Sequence, residues 1–167
     1  CTASGTGAAA CGASVTGTGP WTVASAGTTI DAGGAQTYTL TVTFDINPAT
    51  VTADSSDCSL TTGSTTNSGL LNRGTLTPTG LSGVDRDVCT PLPPVIVHTK
   101  SVASGPTAVA GTPNRYTVSY TLTVTNNGGT AGNYQLLDTP LFGAGTTVVG
   151  ASCTPTGAGA ASCAGVT

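Results

Sequence analysis

Two stretches of strict two-residue alternation limit what this chain can become. In QTYTLTVTFDI (36–46), Tyr38, Leu40, Val42, Phe44 and Ile46 alternate with Thr37, Thr39, Thr41, Thr43 and Asp45. In RYTVSYTLTVTNNGG (115–129), Tyr116, Val118, Tyr120, Leu122 and Val124 alternate with Thr117, Ser119, Thr121 and Thr123. Successive side chains of a strand point to opposite faces, so each stretch reads as a long, half-buried antiparallel strand. One side of each is apolar and the other carries hydroxyls. Helix has little to build on, because the chain has no Glu, no Met and a single Lys, while Thr and Val abound. The sequence therefore predicts an all-β chain. Shorter strands are expected at 21–24, 49–53, 70–77, 94–102, 134–138 and 146–152, separated by Gly, Asn, Pro and Asp clusters. The Asn127-Gly128 step is expected to form a tight turn.

The sequence also repeats itself. Laid without a gap over CTASGTGAAAC (1–11), the segment CTPTGAGAASC (153–163) matches at 7 of 11 positions, with Cys153 on Cys1 and Cys163 on Cys11. Skipping Ser14 brings Val166-Thr167 onto Val15-Thr16 as well. Residues 153–167 thus repeat 1–15 with a period of about 152 residues, which reads as one repeat plus the opening of the next. A stiff connector, CTPLPP (89–94), divides the chain into 1–93 and 94–167, and each part owns one long strand. The expected organisation is a closing half-domain at 1–93 and the opening half of the following repeat at 94–167, a window cut in mid-domain.

Six cysteines in a chain without C-x-x-C or a neighbouring histidine argue for disulfides rather than zinc. The repeat prunes their pairing. Cys1 and Cys11 have the spacing of Cys153 and Cys163, so each pair is expected to close its own loop, leaving Cys58 with Cys89. Disulfides persist in oxidising compartments, which points to an extracellular or cell-surface location.

The segment VHTKSVASGPTAVAGTPNRYTVSYTLTVTNNGGTAGNYQLLDTPLFGAG (97–145) resembles the opening half of a bacterial surface repeat domain, a conserved domain of unknown function. Thr99-Lys100-Ser101-Val102, the Tyr-rich strand from Tyr116, the Asn126–Gly129 turn and Asp138 carry the likeness. The segment DTPLFGAG departs from it by reversing the usual Leu-Pro order. WTVASAGTTIDAGGAQTYTLTVTFDI (21–46) resembles the closing half of the same domain. The resemblance implies immunoglobulin-like antiparallel β-sandwiches used in tandem on bacterial surfaces, with no catalytic residues.

Candidate sites are few. Asp54, Asp57, Asp85 and Asp87 lie near Cys58 and Cys89 in sequence, and a disulfide between those cysteines would gather four carboxylates, half of a calcium ion's oxygens. The spacing of a calcium loop is missing, so solvated loop acids are the simpler reading, and no metal or other cofactor is expected. Lys100 with Asp138 is a candidate isopeptide cross-link, although strand lysines commonly serve to keep sheet edges apart. The threonine ladder 37, 39, 41 and 43 has the regularity of an ice-binding face, which strand propensity alone also produces. The Thr-rich loop 61–66 is a candidate glycan acceptor, with no N-x-[ST] sequon anywhere in the chain. His98 is the single histidine, without a recognisable nucleophile or orienting acid, so catalysis is not expected.

The net charge of −3 offers no footprint for nucleic acid, and no apolar run approaches the roughly 18 residues of a membrane-spanning helix. The expected role is a structural repeat of an extracellular bacterial filament, sheath or stalk, with copies of itself head to tail as partners. Trp21, Leu40, Phe44, Leu122 and Val124 are then expected to be covered by a neighbouring unit. The alternative is an adhesin that binds through its loops; exposed loop aromatics would favour it, and Phe142 is the only one expected, which favours the structural role.

Overall fold

The computed structural model describes residues 1–11, 17–58, 69–160 and 162–163. The chain is all-β apart from one short helix among these residues. Its elements are β1 (Thr2–Ser4), β2 (Thr37–Thr39), α1 (Ala53–Ser56), β3 (Asn72–Leu76), β4 (Val84–Val88), β5 (Ile96–Ala108) and β6 (Tyr116–Asn126). They pair antiparallel as three two-stranded sheets, β1 with β2, β3 with β4 and β5 with β6. All lie in a first unit, Cys1–Asn133, and a second unit comprises Tyr134–Thr167.

The longest element is the β5–β6 hairpin, in register from Ile96 opposite Asn126 to Ala108 opposite Tyr116. Irregularities between Val102 and Thr107 shift the pairing along β5. The chain reverses at 109–115 through two successive turns, closed by Thr112 N to Val109 O (3.2 Å) and Arg115 N to Thr112 O (3.3 Å). Gly111 (φ 75°) and Asn114 (φ 62°) take the left-handed positions that such turns require. Asn127-Gly128, expected as the tight turn, is not where the hairpin reverses, and neither residue has a positive φ. Asn126 governs that region instead. Its Oδ1 accepts from Val95 N (3.1 Å) and Gly128 N (3.0 Å), and its Nδ2 donates to Thr130 O (2.8 Å).

The alternation at 36–46 becomes a strand only at Thr37–Thr39, where β1 supplies a ladder. Residues 40–46, 21–24, 134–138 and 146–152 are outside any strand. A period-two pattern prepares a segment for pairing, but its backbone groups need a neighbour before a sheet exists. The 49–53 segment differs more sharply. Thr52 caps α1, its Oγ1 accepting from Ser55 N (3.2 Å) while Ser55 Oγ accepts from Thr52 N (3.0 Å). This reciprocal box satisfies the amides of Thr52 and Ser55 at the start of so short a helix.

Packing concentrates where α1, the proline connector and the end of β6 meet. Val95 is the single buried hydrophobic residue among the described residues, and Ser56 is fully buried. Ser56 Oγ lies 2.6 Å from Thr52 O and within hydrogen-bond distance of Asn127 O, so its one proton serves either carbonyl. The backbone carbonyl of Ser56 accepts from Leu92 N (2.9 Å), Leu92 O accepts from Gly129 N (3.1 Å), and Val95 O accepts from Asn127 N (2.8 Å). Gly129 is required here, because a Cβ would run into Ser56 O and stand 2.8 Å from Pro91 Cβ.

Ser56→Ala should lower stability by about 1–3 kcal/mol, the usual cost of stranding buried polar partners. Gly129→Ala, which forces a methyl against backbone, should cost about 1–3 kcal/mol. Gly74→Ala, whose nearest new neighbour is Arg86 O at 4.0 Å, should differ little from the parent. Denaturant midpoints of the three variants check the ranking.

Candidate functional site

The β5–β6 hairpin presents two chemically distinct faces. Cross-strand pairs Thr99–Thr123, Ser101–Thr121, Ser104–Ser119 and Thr107–Thr117 put hydroxyls opposite hydroxyls on one side. The other side carries Tyr116, Val118, Tyr120, Leu122 and Val124, with Ala108, Val102, Lys100, His98 and Ile96 contributed by β5. Burying such a side chain is worth roughly 1.5–3 kcal/mol, yet Val102 is 61% exposed, Tyr116 64% and Tyr120 38%. Leu122 and Val124 are half-buried. Lys100 Nζ lies 4.8 Å from the centre of the Tyr120 ring, so its stem lies across the apolar face.

Apolar exposure continues elsewhere. Trp21 and Leu40 are half-buried and Phe44 is 46% exposed, so none of the five residues expected at an inter-unit core is fully covered within the chain. In the second unit, taken by itself, Leu137, Leu141 and Val149 are exposed at 78%, 89% and 70%. Tyr134, placed by its sequence in a strand, is 59% exposed and outside one. Phe142 is therefore not the sole aromatic outside the strands, which removes the contrast by which the sequence disfavoured an adhesin.

The polar candidates resolve into local pairs. Arg73 on β3 faces Asp87 on β4, donating through Nε to Oδ1 (2.7 Å) and through a terminal nitrogen to Oδ2 (2.8 Å). The other terminal nitrogen lies 3.7 Å from Asp85 Oδ2, and Thr75 Oγ1 donates to Asp85 Oδ1 (2.7 Å). The hydrogen bond to Asp87, then the charge of Asp87, raise the Arg73 pKa above its ordinary value. Asp85 and Asp87 thus serve an arginine fork across a hairpin, where antiparallel register makes opposite charges neighbours. Asp54 sits in the first turn of α1, and Asp57 is its C-cap. Among the described residues, no three His, Cys, Asp or Glu side chains group so as to hold a metal ion. Lys100 lies on β5 opposite Leu122, and Asp138 lies in the second unit. His98 stands opposite Val124. Thr37 and Thr39 lie on β2, Thr41 and Thr43 lie beyond it, and the Thr-rich loop 61–66 falls outside the described residues.

Three disulfides close local loops: Cys1–Cys11, Cys58–Cys89 and Cys153–Cys163, with sequence separations of 10, 31 and 10 residues. The middle one ties the end of α1 to the connector that carries Leu92. What sequence reasoning missed is the Ser56 junction. Its legible signal was Thr52-Ala53-Asp54-Ser55, a capping pattern hidden inside an apparent strand.

No protein-family model matches the chain, and comparison with curated proteins and with solved structures finds no significant match.

By loop-closure entropy, removing Cys58–Cys89 with paired alanines should cost about 3.7 kcal/mol, and removing Cys1–Cys11 about 2.8 kcal/mol. Denaturant unfolding of the two double variants under non-reducing conditions checks both the order and the gap.

Proposed function

We propose that the chain is a non-enzymatic structural repeat of an extracellular bacterial filament, sheath or surface stalk. In this reading it belongs with the bacterial surface repeat domains it resembles, and neighbouring copies complete its immunoglobulin-like sandwiches head to tail. One observation carries the reading: the longest hairpin leaves its apolar face open, with Val102 and Tyr116 more than half exposed. A mean hydropathy of +0.20 beside one buried hydrophobic residue among those described is hard to reconcile with a chain that works alone. Contiguous exposed apolar surface of this kind marks contact sites. A contact between unlike faces of identical copies propagates without closing and yields fibres. Three disulfides suit an oxidising location outside the cell.

A second reading, an adhesin module, draws on Tyr134 and Phe142, both exposed and outside strands. Such aromatics make good anchors for a partner.

The test is association of the intact chain, followed by sedimentation at rising concentration and by electron microscopy. Val102→Asp, on the apolar face, should weaken association by roughly 10–100-fold, the equivalent of losing one buried aliphatic contact. Thr121→Asp, on the hydroxyl face, should leave it within about twofold of the parent. A chain that remains monomeric throughout, or one that assembles equally well with Val102→Asp, overturns the fibre reading and favours the adhesin.

A further inference from the structure

Asn127-Gly128 is the only Asn-Gly step in the chain, and the hairpin does not use it as its turn. Its glycine answers to packing. A Cβ at Gly128 would run into Pro93 O and Pro94 Cα in the connector and into Val95 N. The fold therefore requires, after Asn127, the one residue type with no side chain to obstruct attack by its own nitrogen on the asparagine. Such a step is intrinsically the asparagine site most prone to cyclise.

The main chain on both sides of the step is held. Asn127 N donates to Val95 O (2.8 Å) and Gly129 N to Leu92 O (3.1 Å). Asn127 O lies within hydrogen-bond distance of Oγ of the buried Ser56. Gly128 N, the nucleophile of a cyclisation, donates to Asn126 Oδ1 (3.0 Å), which also accepts from Val95 N (3.1 Å). Asn126 is fixed in turn, its Nδ2 donating to Thr130 O (2.8 Å).

We propose that Asn127-Gly128 is a latent self-modification site, kept unreactive by Asn126 and released when the Ser56 junction opens. The reaction needs Gly128 N to lose its proton to water and bond to Cγ of Asn127, with Nδ2 leaving as ammonia. While Gly128 N donates to Asn126 and the connector lies against Gly128, that nitrogen is kept from turning toward Cγ. Local opening of the connector away from the hairpin frees it. Water then opens the succinimide at either carbonyl, leaving aspartate or isoaspartate at position 127. Both products put a negative charge where Asn127 is half-buried. Isoaspartate also routes the main chain through Cβ, which adds a carbon to the backbone. The added carbon displaces Gly128 and Gly129 from a surface that already leaves no room for a Cβ at either. A junction that stays open long enough to react is thereby kept from closing again. None of this depends on assembly.

The intact chain, incubated at mildly alkaline pH, tests this by isoaspartyl methyltransferase labelling and mass spectrometry of the peptide spanning position 127. The folded parent should react at least about 100-fold more slowly than the same disulfide-bonded chain in guanidinium chloride. Asn126→Ala, which removes the acceptor of Gly128 N, should raise the folded-state rate about tenfold. Asn126→Asp, which keeps an acceptor oxygen in place, should stay within about threefold of the parent. Equal rates in the folded and unfolded parent overturn the proposal. A folded Asn126→Ala chain no faster than the parent, or a folded Asn126→Asp chain that reacts at the unfolded rate, overturns it too. So does an isoaspartate-bearing chain that refolds with the parent's denaturant midpoint.

Discussion

The carbonyl of Ser56 is the point on which the ordered centre depends. It accepts from Leu92 in the proline connector and lies against Gly129 just past the end of β6. Leu92 and Gly129 are themselves joined, so helix, connector and hairpin meet through main-chain groups rather than through a greasy core. Such a junction tolerates no added atoms. Its hydrogen bonds are individually modest, but leaving any one buried group unmade costs more than making it contributes. The Cys58–Cys89 bond limits how far the unfolded chain can separate two of the participating segments.

Around that centre, hydrophobic burial is incomplete in a patterned way. On β5–β6 the apolar residues gather on one face, Val97 opposite Thr125 excepted, while serine and threonine hydroxyls fall on the other. Strand geometry guarantees the segregation, and a face so segregated is stable in water only with a cover. The same holds for Phe44 and Val42, 46% and 47% exposed beyond the end of β2. In the assembly we propose, a neighbouring copy supplies that cover and the hydroxyl face stays toward water.

The two cysteine loops share one conformation, with Gly5 and Gly7 matched by Gly157 and Gly159 in the left-handed region and both disulfides spanning a Cα separation of 6.0 Å. The turn is thus set locally, by its glycines and its disulfide.

The amino-acid order alone determined the all-β character, because period-two alternation and a dearth of helix formers leave no other way to hide Val, Leu and Tyr side chains. It also determined the β5–β6 faces, since parity along a strand is a covalent property. The likeness of the two cysteine loops was legible too, because positive φ restricts Gly5, Gly7, Gly157 and Gly159. Tertiary structure alone decided the rest. Residues 49–53 alternate like a strand, yet Thr52 caps a helix because Ser55 returns its hydrogen bond. Asn127-Gly128 looks like a hairpin turn, but its glycine meets the backbone at Pro93 and Val95. Residues 40–46 carry the alternation without becoming a strand, since a ladder needs a second chain segment. Which segments meet is set by long-range closure, and a local pattern carries no record of it.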